Sequence, residues 1–285
     1  MPLRAIEVFK KLDAEDINFL ARLERGTKRY EYIPTDRLTV ITKIQPKKLQ
    51  YLLGKANKLK LIEGRTDKYR GYKILPAGYD VLALWSLVQK NVIEAFGNKL
   101  GVGKEADVYN ALQPDGSRVA VKFNRLGRTS FTRVKRTRTL ETNKVWIEVS
   151  KKAAEREFKV LKKLYPEVSV PKPVAINRHV LVTGLIDGDE LGKVSEISEP
   201  ETVLDDVLDN IKIAYSKGVI HADLSEHNVL VKPDGRVLLI DWPQWIQTSN
   251  ENAEELLERD LRNILKFFNR RFGLEKELEK LLEDC

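Results

Sequence analysis

The sequence predicts an α+β chain of two domains, on three observations. The chain has 285 residues, 42% of them hydrophobic and 32% charged, the balance of a protein able to bury two ordinary cores. Residues 1–85 carry helical apolar stripes followed by one short hairpin. Residues 86–285 carry Pro-Asp-Gly turns between apolar runs, alternating with longer amphipathic stretches.

In the first domain, Ile6, Phe9, Leu12, Ile17, Leu20 and Leu23 are spaced as one or two short helices. Thr35 is positioned to cap a further short helix, and Pro46 to occupy the first turn of the next. That helix has an apolar stripe of Leu49, Leu52, Leu53 and Leu59, with Lys47, Lys48, Lys55 and Lys58 elsewhere on its surface. Leu61-Ile62 and Tyr72-Lys73-Ile74 flank a polar, glycine-containing tip, which predicts a hairpin. Helix, helix, recognition helix and wing make a winged helix-turn-helix, a fold that places its helix or wing against nucleic acid. Candidate contacts are Lys47, Lys48, Lys55, Arg65, Lys68, Tyr69 and Arg70. A connecting helix from Pro76 follows, with Tyr79, Leu82 and Trp85 as core residues.

The second domain opens with three antiparallel strands. Gly101-Val102-Gly103 marks the first bend and Gln113-Pro-Asp-Gly116 the second. Glycine lets backbone approach phosphates closely. Lys122 ends the run VAVK, placed to reach nucleotide phosphates. Residues 125–149 form a basic loop that includes Arg125, Arg128, Arg133, Lys135, Arg136, Arg138 and Lys144, without apolar periodicity. Such basic density favours contact with a phosphate backbone. Ser150 to Leu164 is a helix through Ala154, Phe158, Leu161 and Leu164. It offers Glu157, or its competitor Glu155, as the carboxylate that holds Lys122. Ser198-Glu-Pro-Glu201 reads as a capping box for the helix leading to the next loop, and residues 251–268 and 275–282 as amphipathic helices.

The densest chemistry lies in His221-Ala-Asp223-Leu-Ser-Glu-His-Asn228, followed by VLVKPDGRVLLID. Asp223 and Asn228 are near enough for one loop to present both. A hairpin turning at Pro233-Asp234-Gly235 brings Asp241 back beside Asn228. Oxygen donors of this kind suit Mg²⁺ held together with substrate phosphates. With Lys122 and Glu157 they make a protein-kinase-like site, in which Asp223 orients or deprotonates the nucleophile. The fold class is thus a winged helix-turn-helix followed by a truncated bilobal protein-kinase-like domain. Residues 86–186 are its small lobe and hinge, and 187–285 its large lobe.

GVGKEADVY, VAVKF, AEREF, GVIHADLSEHNVLV and LLIDWPQ resemble the RIO family of atypical kinases and ATPases, in the archaeal-type subfamily with an N-terminal winged helix. The resemblance implies a site of Lys122, Asp223, Asn228 and Asp241, with Asp241 able to accept a phosphoryl group. It implies ATP bound by Gly101, Val102, Gly103, Lys104, Glu105, Ala120, Lys122 and Glu157, its adenine on the Gly184 carbonyl and Ile186 amide. Mg²⁺, with Mn²⁺ as a substitute, would be held by Asn228 and Asp241. The partners implied are pre-rRNA and the small ribosomal subunit precursor. The chain departs from the family pattern at Ala106, where a serine is usual, at Thr183 in the hinge and at Trp242 after the metal-loop aspartate.

Only 44 residues follow Asp241, and no Ala-Pro-Glu motif occurs among them. A peptide-binding helical subdomain of the eukaryotic kinase type is therefore not expected. No apolar run of membrane-spanning length and no signal-peptide core are visible, so a cytoplasmic location is expected. Cys285 is the sole cysteine, and His179, His221 and His227 form no metal motif. Glu, Lys and Arg are abundant beside a single Met and a single Cys, a thermophile's composition. Net charge of +8 is consistent with a nucleic-acid partner such as the ribosomal one above, Arg133, Lys135 and Arg136 being further candidate contacts. The alternative is a nucleotide-sensing, nucleic-acid-binding regulator without turnover.

Overall fold

The computed structural model describes residues 2–102, 106–126 and 142–283. It divides into two compact units, Met1–Lys152 with Ala175–Leu181, and Ala153–Val174 with Val182–Cys285. Gly103, Lys104, Glu105, Arg128, Arg133, Lys135, Arg136 and Arg138 lie outside the described residues.

The first unit begins with α1 (Pro2–Phe9), α2 (Ala14–Thr27), β1 (Ile33–Pro34), α3 (Thr35–Thr42) and α4 (Pro46–Lys58). Next come β2 (Ile62–Arg65), β3 (Gly71–Ile74) and α5 (Pro76–Gln89). Asp13 caps α2 through the Glu15 and Asp16 amides, and Asp16 returns the bond to the Asp13 amide. Strands β1, β3 and β2 form an antiparallel sheet in which Tyr72 pairs with both Ile33 and Gly64. This is a winged helix: Leu49, Leu52 and Leu53 of α4 join Ile17, Leu20, Leu23, Ile33 and Leu38 in one core. Gly78 is required by packing, since a Cβ there would stand 2.5 Å from the Leu61 carbonyl oxygen. Thr35 does not cap α3. Pro34 is the N-cap residue, and the Thr35 hydroxyl instead donates to the Arg70 carbonyl at 2.9 Å, tying the helix start to the wing.

The same unit continues into β4 (Ala95–Val102), β5 (Ala106–Leu112) and β6 (Arg118–Asn124), antiparallel as expected. With β7 (Pro173–Asn177) and β8 (Val180–Gly184) they form a sheet in the order β4-β5-β6-β8-β7. Gly116, at φ +81°, makes the β5–β6 turn. The helix expected from Ser150 starts earlier: α6 is Thr142–Leu164. Trp146 and Ile147 are buried in the winged-helix core, and that burial overrides the polar, basic sequence around them. Arg125, expected at the head of an exposed basic loop, is buried and doubly bonded to Asp80 at 2.8 and 2.9 Å. A carboxylate hidden in the apolar run of α5 claims it.

The second unit holds the C-terminal part of α6, then β9 (Asp189–Glu190), α7 (Pro200–Ser216) and β10 (Val219–Ile220). It continues with β11 (Val229–Val231), β12 (Val237–Leu239), β13 (Ile246–Gln247), α8 (Ala253–Phe272) and α9 (Leu278–Glu283). Helices α7 and α8 bury Val203, Leu204, Val207, Leu261, Ile264 and Phe268. No capping box forms at α7, whose N-cap residue is Glu199 without a side-chain cap bond. The expected hairpin is present, with Val229 opposite Leu239 and Val231 opposite Val237, and it turns through Gly235 at φ +82°.

Candidate active site

In the second unit, β10 ends into His221 and the loop 221–228 follows it. His221 Nε2 donates to the Ile240 carbonyl at 3.0 Å, and its ring lies 4.4 Å from that of Trp242. The Ile240 amide donates to the Asn228 carbonyl at 2.9 Å. One hairpin rung therefore sets Asn228 beside the residue preceding Asp241. Asn228 Nδ2 donates to the Asp223 carbonyl at 2.7 Å, which leaves Oδ1 as the atom it can present to a cation. Two residues of this region hold backbone angles that L side chains rarely adopt, Ala222 at φ +61° and Asp241 at φ +67°. Such strain costs about 1–3 kcal/mol per residue and concentrates at functional sites.

Asp223 is exposed at the loop surface. Partial burial raises its pKa, the nearby Asp241 charge adds to this, and Arg259 opposes both. The loop backbone is held from beneath by α8. Asp260 Oδ2 accepts from the Ala222 amide at 2.6 Å and Oδ1 from the Leu224 amide at 2.9 Å. Arg259 donates to the Ala222 carbonyl at 2.5 Å and Asn263 to the Leu224 carbonyl at 3.0 Å. The amides on both sides of Asp223 are thus bound by one carboxylate. Burial beside a cavity of about 10 Å³, walled by Ile211, Leu239, Trp242 and Leu257, pushes the Asp260 pKa up to about 6 against its two amide bonds. These α8 residues were missed in the sequence. The available signal was a carboxylate set inside the apolar stripe Leu257, Leu261, Ile264 and Phe268.

The remaining candidates are distributed as follows. Lys122 of β6 pairs in register with Val108, and strand alternation puts it with Ala120 on the face opposite buried Val119, Val121 and Phe123. Gly101 pairs with the same Val108, and a Cβ added to it would meet nothing within 4 Å. Protein packing does not ask for a glycine there. In α6, Glu157 is buried whereas Glu155 is exposed. At the end of β8, the Gly184 amide donates to the Lys172 carbonyl at 2.8 Å.

On the winged helix the cationic candidates divide. Lys55 bonds Asp16 at 2.5 Å and Lys48 pairs with Glu15 of α2. Arg65 lies between the rings of Tyr32 and Tyr69, 4.3 and 4.4 Å from their centroids, and Tyr69 donates to the Tyr32 carbonyl. Lys47, Lys68 and Arg70 are exposed. A groove of about 640 Å³ runs between α3, α4 and the wing, lined by Thr35, Gln50, Asn57, Arg70 and Tyr72. Among the described residues no helix is long and apolar enough to cross a membrane.

A strained aspartate returned by a hairpin to an H-x-D-x₄-N loop, in a chain that also carries a lysine on the third strand of an antiparallel sheet, defines the class as protein-kinase-like. Comparison with known proteins narrows it. Residues 107–281 match the RIO domain and residues 9–90 the Rio2 N-terminal domain. The chain is 39% identical over 262 residues to the RIO-type serine/threonine-protein kinase Rio2 of Methanocaldococcus jannaschii, covering 89% of this chain and 96% of that one. It is 34% identical to the serine/threonine-protein kinase rio2 of Schizosaccharomyces pombe, covering 94% and 79%. A crystal structure of the Chaetomium thermophilum Rio2 kinase–ADP/Mg²⁺–phosphoaspartate complex superposes with a TM-score of 0.87 at 29% identity, covering 98% and 88%. The chain belongs to the RIO family of serine/threonine protein kinases, on its Rio2 branch.

Proposed function

We propose that this chain is an Mg²⁺-ATP-dependent RIO-type kinase or ATPase that passes the γ-phosphoryl group to a carboxylate of its own, Asp241, before releasing it. The observation that carries the reading is the geometry around Asp241: its strained backbone, its place next to the Asn228–Ile240 rung, and its charge felt at Asp223. A phosphoaspartate in the Chaetomium relative supports it. An Asp241 oxygen would attack the γ-phosphorus, the bond to the β–γ bridging oxygen would break, and ADP would leave with that electron pair. Water would then cleave the acyl phosphate to inorganic phosphate and restore the carboxylate. Asp223, held by the α8 cap, would orient the attacking water or hydroxyl and take its proton. Lys122 would neutralise phosphate charge, with Glu157 orienting it, and the Gly184 carbonyl and Ile186 amide would take the adenine. Asn228 Oδ1 and the Asp241 carboxylate are the hard donors suited to Mg²⁺, which supplies charge neutralisation when bound. The wider role we infer is in maturation of the small ribosomal subunit, with Lys47, Lys68 and Arg70 and the basic segment after Arg125 against rRNA.

The test is ATP hydrolysis and self-phosphorylation by the intact chain beside Asp241→Asn and Asp223→Ala. Asp241→Asn is expected to lose both activities, and the wild-type phosphoprotein to release its label in hydroxylamine, as an acyl phosphate does. Hydroxylamine-stable label with full activity in Asp241→Asn would remove Asp241 from the mechanism.

A further inference from the structure

The first unit contains a buried charge cluster that the proposed chemistry does not use. Asp80 of α5 and His179 of the β7–β8 turn are fully buried, and Arg125 and Asp107 nearly so. Arg125 bonds both Asp80 oxygens, and His179 Nε2 lies 2.8 Å from Asp80 Oδ1. Burial holds His179 below its usual pKa, against the pull of Asp80, so the ring is neutral at pH 7 and donates from Nε2. Burial works against the Asp80 carboxylate, but the Arg125 charge and the His179 bond outweigh it and keep the group ionised. Asp107 lies 3.5 Å from Arg125 and 3.1 Å from Lys99, which balances the second negative charge. The Trp146 ring covers the cluster, 5.4 Å from His179 and 5.5 Å from the Arg125 guanidinium.

The cluster stands at the end of the strand that carries Lys122. Arg125 follows β6 directly, and the Asn124 amide donates to the His179 carbonyl at 3.0 Å. The same turn is fixed to the N-terminal domain at each of its residues. Asn177 donates to the Ser86 hydroxyl at 2.8 Å, and Arg178 bonds Glu24 at 2.6 Å and the Leu82 carbonyl at 3.2 Å. A strand end held by a bidentate, dry ion pair has one position along its axis, because a slip of one residue would strand a buried charge.

We propose that Asp80, a residue of the N-terminal domain's last helix, is a positioning residue for Lys122: through Arg125 and His179 it fixes the register of β6 and hence the reach of the lysine to ATP. The winged-helix domain is then part of the nucleotide site's framework as well as a binding module. This rests on the proposed role of Lys122, and the experiment separates the two. In the full chain, below the onset of unfolding for every variant, the affinity for ATP is measured for wild type, Lys122→Ala, Asp80→Asn and the double variant. Lys122→Ala without effect would overturn the role of Lys122. Given a loss there, Asp80→Asn is expected to weaken ATP by about tenfold, and to have no further effect in the Lys122→Ala background, the non-additivity of residues acting as one unit. Equal losses in both backgrounds, or none in either, would overturn the positioning role. Arg125→Lys keeps the charge but loses the fork, and should shift affinity in the same direction if Asp80→Asn fails to fold. Arg178→Ala, which removes the Glu24 tie of the same turn but leaves the Asp80–Arg125 pair intact, should weaken ATP less than Asp80→Asn does, and a loss equal to that of Asp80→Asn would reduce Asp80 to a general stabiliser.

Discussion

Ionised, Asp260 can accept the Ala222 and Leu224 amides with separate oxygens; protonated, one of those oxygens becomes a donor facing a donor. The residue therefore holds the loop around Asp223 only while charged, although its surroundings penalise the charge. With a folded pKa of about 6 against 3.8 for a free side chain, the folded protein keeps this proton longer than the unfolded chain does. The contribution of Asp260 to stability is then complete below pH 3.8 and is lost as the pH rises through 6. Asparagine cannot titrate. Between pH 4 and pH 7, Asp260→Asn should therefore gain about 2 kcal/mol relative to wild type, read from urea unfolding of both proteins at each pH. Its kcat should nevertheless fall at pH 7, because the amide group accepts only one of the two N–H bonds. Parallel stability curves would show that the carboxylate titrates normally.

At the scale of elements, periodicity and turn chemistry carried the winged helix and the β11–β12 hairpin. The stripe Leu49, Leu52, Leu53 and the Pro233-Asp234-Gly235 turn each had one physical solution, and the fold contains it. What the sequence did not yield was the fate of charges. Arg125 looks like the first residue of a solvated basic run, and Asp80 like an exception in an apolar helix; only the fold shows that each explains the other. The same applies to the wing. Arg65 reads as a nucleic-acid contact but is sandwiched by two tyrosines, whereas Lys68 at the tip is exposed. These two residues give opposite expectations. Arg65→Ala should lower the stability of the winged helix by about 1–2 kcal/mol through two lost cation–π contacts, with the salt dependence of the proposed RNA binding unchanged. Lys68→Ala should leave stability unaltered and reduce the slope of log K against log salt by about 1 if it meets a phosphate. Thermal unfolding and binding across a salt series measure both, and the reverse pattern would move the contact surface off the wing tip.

At the scale of the molecule, the boundary between compact units does not follow the boundary between the two family domains. The first unit unites the winged helix with β4, β5, β6 and the start of α6, and takes in the 175–181 turn from later in the chain. Its core runs from Ala5 through Leu82 to Trp146 and Ile147 without a break. Cutting the chain between the two family domains should therefore affect the two products unequally. A fragment of residues 1–90 retains the core from Ala5 to Leu82 and all three strands of its sheet, and should unfold in one cooperative transition. It loses the cover of Trp146 and Ile147 and the Arg125 and His179 partners of Asp80, whose carboxylate the cut leaves facing solvent. A fragment of residues 91–285 loses Asp80 while keeping Arg125 and His179, so the guanidinium exchanges a bidentate pair for the longer Asp107 contact alone, with newly exposed tryptophan beside it. Removing one partner of a buried pair costs about 3–5 kcal/mol, a large share of the stability of any domain. That fragment should bind a hydrophobic dye and melt well below the intact chain, and Arg125→Met within it should recover part of the difference by deleting the poorly paired charge. A 91–285 fragment that melts with the intact chain would mean that the small-lobe sheet stands without the N-terminal domain, and that Asp80 contributes nothing to it.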